Sequence, residues 1–257
     1  MTICHAIILG IVEGITEFLP ISSTGHLILA SDLLRIVKSD FLSSFEIGIQ
    51  LGAILSVVVL YVRRNTFRIN ILKPLVIAFL PAVFFGILFY KLIKIYLLNN
   101  PSVVLWSLLI GGVAIIIFEL FYKEKAGSVD QIDRIGNKQA LTIGLFQCLA
   151  MIPGVSRAAA TIIGGLTIGL KRKAIVEFSF LLAIPTMLAA TGLDLVKTSI
   201  NFSVNEWTQL CVGFAVSFVV ALAAIKFLLK FIQNHSFITF GIYRIIVALL
   251  FWLIILK

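Results

Sequence analysis

Charge is what this chain has least of. Only 13% of its 257 residues are Asp, Glu, Lys or Arg, against about 25% in a soluble domain. With 60% hydrophobic residues and a mean hydropathy of +1.12, the chain has too little polar surface for an ordinary soluble globule. Cysteine is scarce too. Cys4, Cys148 and Cys211 lie in apolar segments with no paired spacing. That excludes a disulfide framework and a zinc motif, and leaves them as small buried apolar side chains. No basic residue precedes Arg35, so a cleavable signal peptide is not expected and the first apolar segment stays. What remains is a polytopic helical membrane protein. Its net charge of +9 then belongs to loops beside anionic headgroups rather than to nucleic acid.

Apolar runs long enough to span a bilayer are expected at 41–62, 74–92, 102–122, 174–195, 207–227 and 236–256. Two other apolar regions are interrupted. Residues 1–19 and 25–37 are split by Pro20 to Gly25, and residues 139–152 and 158–170 by Pro153 to Arg157. Most of these pieces are short of the ~20 residues a spanning helix needs, so each pair reads as a re-entrant helical hairpin with a polar tip. If the 63–73 loop is cytoplasmic, thirteen basic residues fall inside, among them Arg63, Arg64, Lys123, Arg134 and Arg172, and six outside, among them Arg35, Lys38 and Lys257. That excess sets the orientation and puts both termini outside.

The same order occurs twice. Residues 1–122 are one hairpin plus three spans, and residues 139–257 are again one hairpin plus three spans, joined by a cytoplasmic linker, 123–138. An odd number of spans inverts the second half, so the fold class is all-α with two inverted-topology repeats. Gly10-Ile11-Val12-Glu13 echoes Gly144-Leu145-Phe146-Gln147, and each is followed by a proline and then a serine (Pro20 and Ser22, Pro153 and Ser156).

The polar residues concentrate at the tips. Glu13 and Glu17 are one helical turn apart, with Cβ atoms about 6 Å apart. Two bare charges there repel by roughly 3 kcal/mol at an effective dielectric near 20. One carboxyl keeps its proton, a cation sits between them, or both are solvated in a vestibule. Hard divalent cations take carboxylate oxygens and phosphates. Ser22, Ser23 and Thr24 before Gly25 make an N-cap, and equally an anion site at a helix N-terminus. His26, three residues after Ser23, is placed to act as general acid or base. Arg157, at the second tip, offers a planar fork for phosphate, or pairs structurally with Glu13, Glu17, Glu46 or Glu177. Glu46 and Gln50 on one span, and Glu177 and Ser179 on another, are placed to support the tips; Glu119 and Asp194 read as interfacial. Ionisable groups at membrane depth cost roughly 2.5–3.5 kcal/mol each and mark function. Phosphoryl chemistry on a lipid fits these groups, and so does an anion-coupled transporter.

The wording of both tips resembles the bacterial undecaprenyl-diphosphate phosphatases of the bacitracin-resistance type. The first motif runs Glu13-Gly14-Ile15-Thr16-Glu17-Phe18-Leu19-Pro20-Ile21-Ser22-Ser23-Thr24-Gly25-His26 and the second Pro153-Gly154-Val155-Ser156-Arg157-Ala158-Ala159-Ala160-Thr161. Glu177-Phe178-Ser179-Phe180 and Tyr243-Arg244 also look like family signatures. The resemblance covers nearly the whole chain. It implies a multi-pass enzyme of the bacterial plasma membrane, its site facing the outer side. Such an enzyme removes the terminal phosphate of a C55 isoprenyl diphosphate and so recycles the cell-wall carrier lipid. It also implies Mg²⁺ or Ca²⁺ on Glu13 and Glu17, catalytic Glu17, Ser23, His26 and Arg157, and substrate contacts from Ser22, Thr24, Ser156, Thr161 and Arg157. Ser23, His26 and water stay open as nucleophile. A transporter or flippase of the carrier lipid is the alternative, and a homodimer is an admissible assembly. One departure stands out: where the family has Ser-Gly after the arginine, this chain has Ala158-Ala159, so a hydroxyl near the phosphate is expected to be missing.

Overall fold

The computed structural model describes the backbone of residues 1–62, 69–92, 96–97, 100–124, 127–197 and 202–255, and their side chains except 90–91, 193–197 and 254–255. Among these residues it is helical throughout, apart from one isolated bridge between Val129 and Leu170. Ten α-helices follow in order: α1 (Ile3–Thr16), α2 (Ser23–Leu33), α3 (Asp40–Val62), α4 (Ile69–Leu92), α5 (Pro101–Phe121), α6 (Asn137–Gln147), α7 (Arg157–Thr167), α8 (Arg172–Lys197), α9 (Val204–Phe231) and α10 (Ile238–Ile255). Helices α3, α4, α5, α8 and α9 are long and apolar enough to cross a bilayer. The chain is therefore a multi-pass membrane protein. Its long helices begin where capping chemistry allows. Asn100 accepts from the Ser102 amide ahead of Pro101, and Ser203 forms a reciprocal capping box with Glu206. Pro74, Pro81 and Pro185 lie inside α4 and α8, a placement that neighbouring helices make tolerable in a membrane protein.

The two interrupted regions are α1 with α2 and α6 with α7, all far shorter than a span. A short 3-10 turn, Cys148–Met151, prolongs α6. Helix α1 packs chiefly on α9, and α6 chiefly on α4. The main core gathers Phe18 and Leu19 from the first hairpin, Ala158, Ala159 and Ile162 from the second, and Phe178, Phe180 and Leu181 from α8.

Two expectations need correction here. Cys4 and Cys211 are exposed and Cys148 is half-buried, because in a bilayer an apolar side chain facing lipid carries no penalty. Glu119, near the end of α5, is not the solvated acid that an interfacial place suggests. It is 7% exposed and takes Arg172 Nη2 at 2.6 Å and the Phe237 amide at 3.3 Å, so it ties the end of α5 to the start of α8 and α10. The side chain of Asp194 lies outside the described residues, as do the loop residues Arg63, Arg64, Lys125 and Lys257.

Candidate active site at the meeting of two hairpin tips

Each tip turns on a serine with a left-handed backbone. Ser22 has φ 73° and Ser156 has φ 75°, a conformation costing a non-glycine residue about 1–3 kcal/mol. Each caps the helix that follows: Ser22 Oγ accepts from the Gly25 amide (3.4 Å) and Ser156 Oγ from the Ala159 amide (3.2 Å). Both hydroxyls keep their own proton free to donate. The N-termini of α2 and α7, with their free amides and positive dipole ends, thus meet at one place.

Arg244 holds the tips there. It is fully buried and donates to five carbonyls: Leu108 and Ser107 of α5, Pro20 at the first tip, and Gly154 and Val155 at the second. In the sequence Tyr243-Arg244 stands only as a family-like signature. Backbone acceptors leave no mark in a sequence, so this role was not readable there.

Between the tips lies a cavity of ≈ 230 Å³ lined by Glu17, Ser22, Ser23, Thr24, Gln50 and Arg157 among others. Ser23 Oγ donates to Glu17 Oε2 at 2.6 Å. Arg157 Nη2 donates to Glu17 Oε1 at 3.2 Å, and its Nη1 to the Ser179 carbonyl at 2.9 Å. Nη1 and Nη2 of Arg157 each keep an N–H beyond the bond they make, and Nε is buried without a partner. An unmade bond of this kind is costly unless something arrives to make it.

Glu13 is fully buried, and its carboxyl meets no N–H or hydroxyl donor, only the carboxyl of Glu17. With Glu17 one turn on, it leaves an orphaned carboxylate that suits a cation. Among the described residues no three His, Cys, Asp or Glu side chains are arranged to hold a metal ion. The chain itself offers two carboxylates, and a hard divalent ion that keeps waters and takes phosphate oxygens fits such a partial set.

His26 is placed differently from the expected partnership with Ser23. Its Nδ1 lies 2.7 Å from the Ser22 carbonyl and its Nε2 3.0 Å from the Tyr243 hydroxyl, while Ser23 turns to Glu17. Thr161 lies behind the site. It is fully buried, bonds back to the Arg157 and Ala158 carbonyls, and meets Ser179 Oγ at 2.7 Å. It braces the helix that carries Arg157 and does not line the cavity. Ala158 and Ala159 are buried in the main core and line the cavity no more than Thr161 does. Glu46 accepts from Ser31 (3.2 Å) and faces a separate cavity, whereas Gln50, one turn along, faces the tips.

A second cavity of ≈ 420 Å³ shares Arg157, Ala150 and Met187 with the first. Its other walls are mostly apolar, from α4 and α8: Phe79, Val83, Ile87 and Ala190 among them. The polar cavity and the apolar one therefore lie side by side, with Arg157 on the wall of both.

Residues 6–250 match the family model described as Bacitracin resistance protein BacA. An undecaprenyl-diphosphatase of Sulfurihydrogenibium sp. is 52% identical over 98% of this chain and 99% of that protein. Undecaprenyl-diphosphatases of Wolinella succinogenes and Aquifex aeolicus are each 51% identical, over 98% of this chain and 97% and 98% of theirs.

Proposed function

The chain belongs to the bacitracin resistance protein BacA family, and from that membership we propose how its two tips carry out the family's reaction. The activity is hydrolysis of undecaprenyl diphosphate to undecaprenyl phosphate and inorganic phosphate. It recycles the carrier lipid of cell-wall synthesis and confers bacitracin resistance. The observation that carries the site is the chain of contacts Ser23–Glu17–Arg157 across the tips, beside a polar cavity that shares Arg157 with an apolar one.

The diphosphate occupies the polar cavity, and the isoprenyl chain leaves along the apolar one. Arg157 donates to the terminal phosphate through the remaining N–H groups of Nη1 and Nη2. Ser22, Thr24 and Ser156 add hydroxyl donors, and the N-termini of α2 and α7 add backbone amides. Glu17 Oε2, already accepting from Ser23, is the base. It takes the proton of the attacking oxygen, whether that oxygen is Ser23 Oγ or a water in its place. The bond from the terminal phosphorus to the bridging oxygen breaks, and the electron pair leaves with the lipid monophosphate. Where Ser23 attacks, water then hydrolyses the phosphoserine, and inorganic phosphate leaves. Glu13 and Glu17 would hold Mg²⁺ or Ca²⁺, which, when bound, offsets phosphate charge. Each residue named comes from one chain, so this chemistry is complete without the homodimer that the sequence admits.

The fold is read as two inverted repeats, 1–122 and 139–257, joined by the cytoplasmic linker 123–138. Three matches support this. Ser22 and Ser156 repeat one cap geometry. Gly10 and Gly144, at equivalent places, each let a helix press on the backbone of a partner, α9 and α4. Those partners are themselves equivalent under the exchange. We read the protein as an enzyme of the inner membrane with its site open to the outer side; the excess of basic residues in the loops assigned to the inside supports that orientation.

Purified protein in detergent should release inorganic phosphate from undecaprenyl diphosphate. A flippase needs two membrane sides and would release none, so absence of phosphate from well-folded protein overturns the reading.

A further inference from the structure

Tyr243 stands outside the mechanism above, yet its hydroxyl lies 3.0 Å from Nε2 of His26, a residue 217 positions away. The two rings are nearly parallel, 4° apart, with centroids at 5.5 Å. The other ring nitrogen, Nδ1, is 2.7 Å from the Ser22 carbonyl. A carbonyl oxygen only accepts, so Nδ1 carries a proton. In the neutral ring Nε2 is then bare, and the phenol supplies the proton of that bond. Ser22 thus fixes the tautomer. The direction of the ring, and the cover over its one basic atom, come from α10. The same helix turn carries Arg244, which grips the carbonyls of both tips, so the hydroxyl of Tyr243 is held in register with the site.

We propose that His26 exchanges a proton through Nε2 during hydrolysis, a transfer additional to the one Glu17 makes, and that Tyr243 is a positioning residue for it: its hydroxyl aims and caps that atom. The inference rests on the phosphatase reading. His26 does not line the cavity between the tips; its Nε2 points to α10, apart from the Ser23–Glu17 pair, and Tyr243 determines that direction.

Tyr243→Phe deletes one oxygen and keeps the ring. Two measurements test it. In ¹⁵N spectra of the purified, histidine-labelled protein, the His26 signals are identified by their loss in His26→Gln. Wild type should show a protonated Nδ1 and a hydrogen-bonded, unprotonated Nε2. In Tyr243→Phe the Nε2 resonance should move downfield, toward an unbonded pyridine-type nitrogen. In kinetics, Tyr243→Phe should lower kcat on the order of tenfold with KM within about twofold. In a His26→Ala background the same change should cost less than about twofold, since the group it positions is gone. An unmoved Nε2 resonance, an equal loss in both backgrounds, or a rise in KM alone overturns the proposal. If His26→Ala is too slow to measure, the resonance decides. If wild type releases no phosphate from the lipid diphosphate, the phosphatase reading fails, while the spectra still judge the Tyr243–His26 bond.

Discussion

Nη2 of Arg157 lies 3.2 Å from Oε1 of Glu17, joining the second hairpin to the first, with side chains 10% and 5% exposed. Each partner has a second bond, Arg157 to the Ser179 carbonyl and Glu17 to the Ser23 hydroxyl. A buried pair is weak evidence for stability, because desolvation offsets the attraction. This pair also leaves Arg157 Nε without a partner. Arg172, in its structural pair with Glu119, leaves the same atom unpartnered; what sets Arg157 apart is that it lines the cavity between the tips.

Arg157→Lys separates these roles. A lysine keeps the charge and can still pair with Glu17. Its point charge cannot also reach Ser179 and present a fork to a phosphate. We expect kcat to fall on the order of a hundredfold, about 3 kcal/mol of transition-state stabilisation, with folded yield in detergent unchanged. Near-normal turnover of the well-folded variant would falsify the clamp and leave Arg157 as half of a structural pair.

Removal of divalent ions tests Glu13. EDTA should abolish turnover, and Mg²⁺ or Ca²⁺ should restore it. Glu13→Gln keeps the shape and removes the charge, so it should raise the divalent concentration needed for half-maximal rate by at least about tenfold. Full activity in EDTA removes the ion from the mechanism. An unaltered ion response in Glu13→Gln removes Glu13 from its binding.

Much of this was legible in the sequence because a membrane enforces simple rules. The long helices end within a few residues of the apolar runs, and the tips fall where proline and serine interrupt them. The gathering of Glu17, Ser23 and Arg157 at the tips followed from placing scarce polar groups together, and Glu17 was one of four partners open to Arg157, but the Ser23–Glu17 bond was not foreseen. What stayed hidden has physical reasons. Lipid-facing and core-facing positions are both apolar, so the exposure of Cys4 and Cys211 could not be told from burial. The inward turn of Thr161 depends on helix rotation, and its motif position reads the same either way. The partners of His26 and Arg244 are a residue 217 positions distant and a set of backbone carbonyls, and neither has a local signature.

Cysteine labelling checks the inverted repeats. Lys38, Asp130 and Asn205 are exposed. In a variant lacking the native cysteines, Cys at 38 and 205 should react with an impermeant reagent from outside, and Cys at 130 only from inside. The hairpin α6–α7 and the span α8 lie between 130 and 205. Labelling of both from one side would mean that the hairpin crosses the membrane, and the inverted-repeat reading fails.

Gly111 offers the sharpest test of the clamp that Arg244 makes. In a helix interior, Gly→Ala normally stabilises by about 1 kcal/mol. Here a Cβ at position 111 would fall on the Nη2 atom of Arg244, and that guanidinium is held by five carbonyls from α5 and both tips, so it cannot step aside without breaking those bonds. Overpacking of this kind costs about 1–3 kcal/mol, and the orphaned carbonyls add to it. Gly111→Ala should therefore lower the Tm in detergent and lower kcat, because the tips lose their register. In an Arg244→Ala background the obstacle is gone, and the same Gly111→Ala should be neutral or raise the Tm. That reversal of sign is a coupling that distant, independent sites do not produce. Equal destabilisation in both backgrounds would mean that Gly111 answers to some other neighbour and that Arg244 is not what fixes the tips.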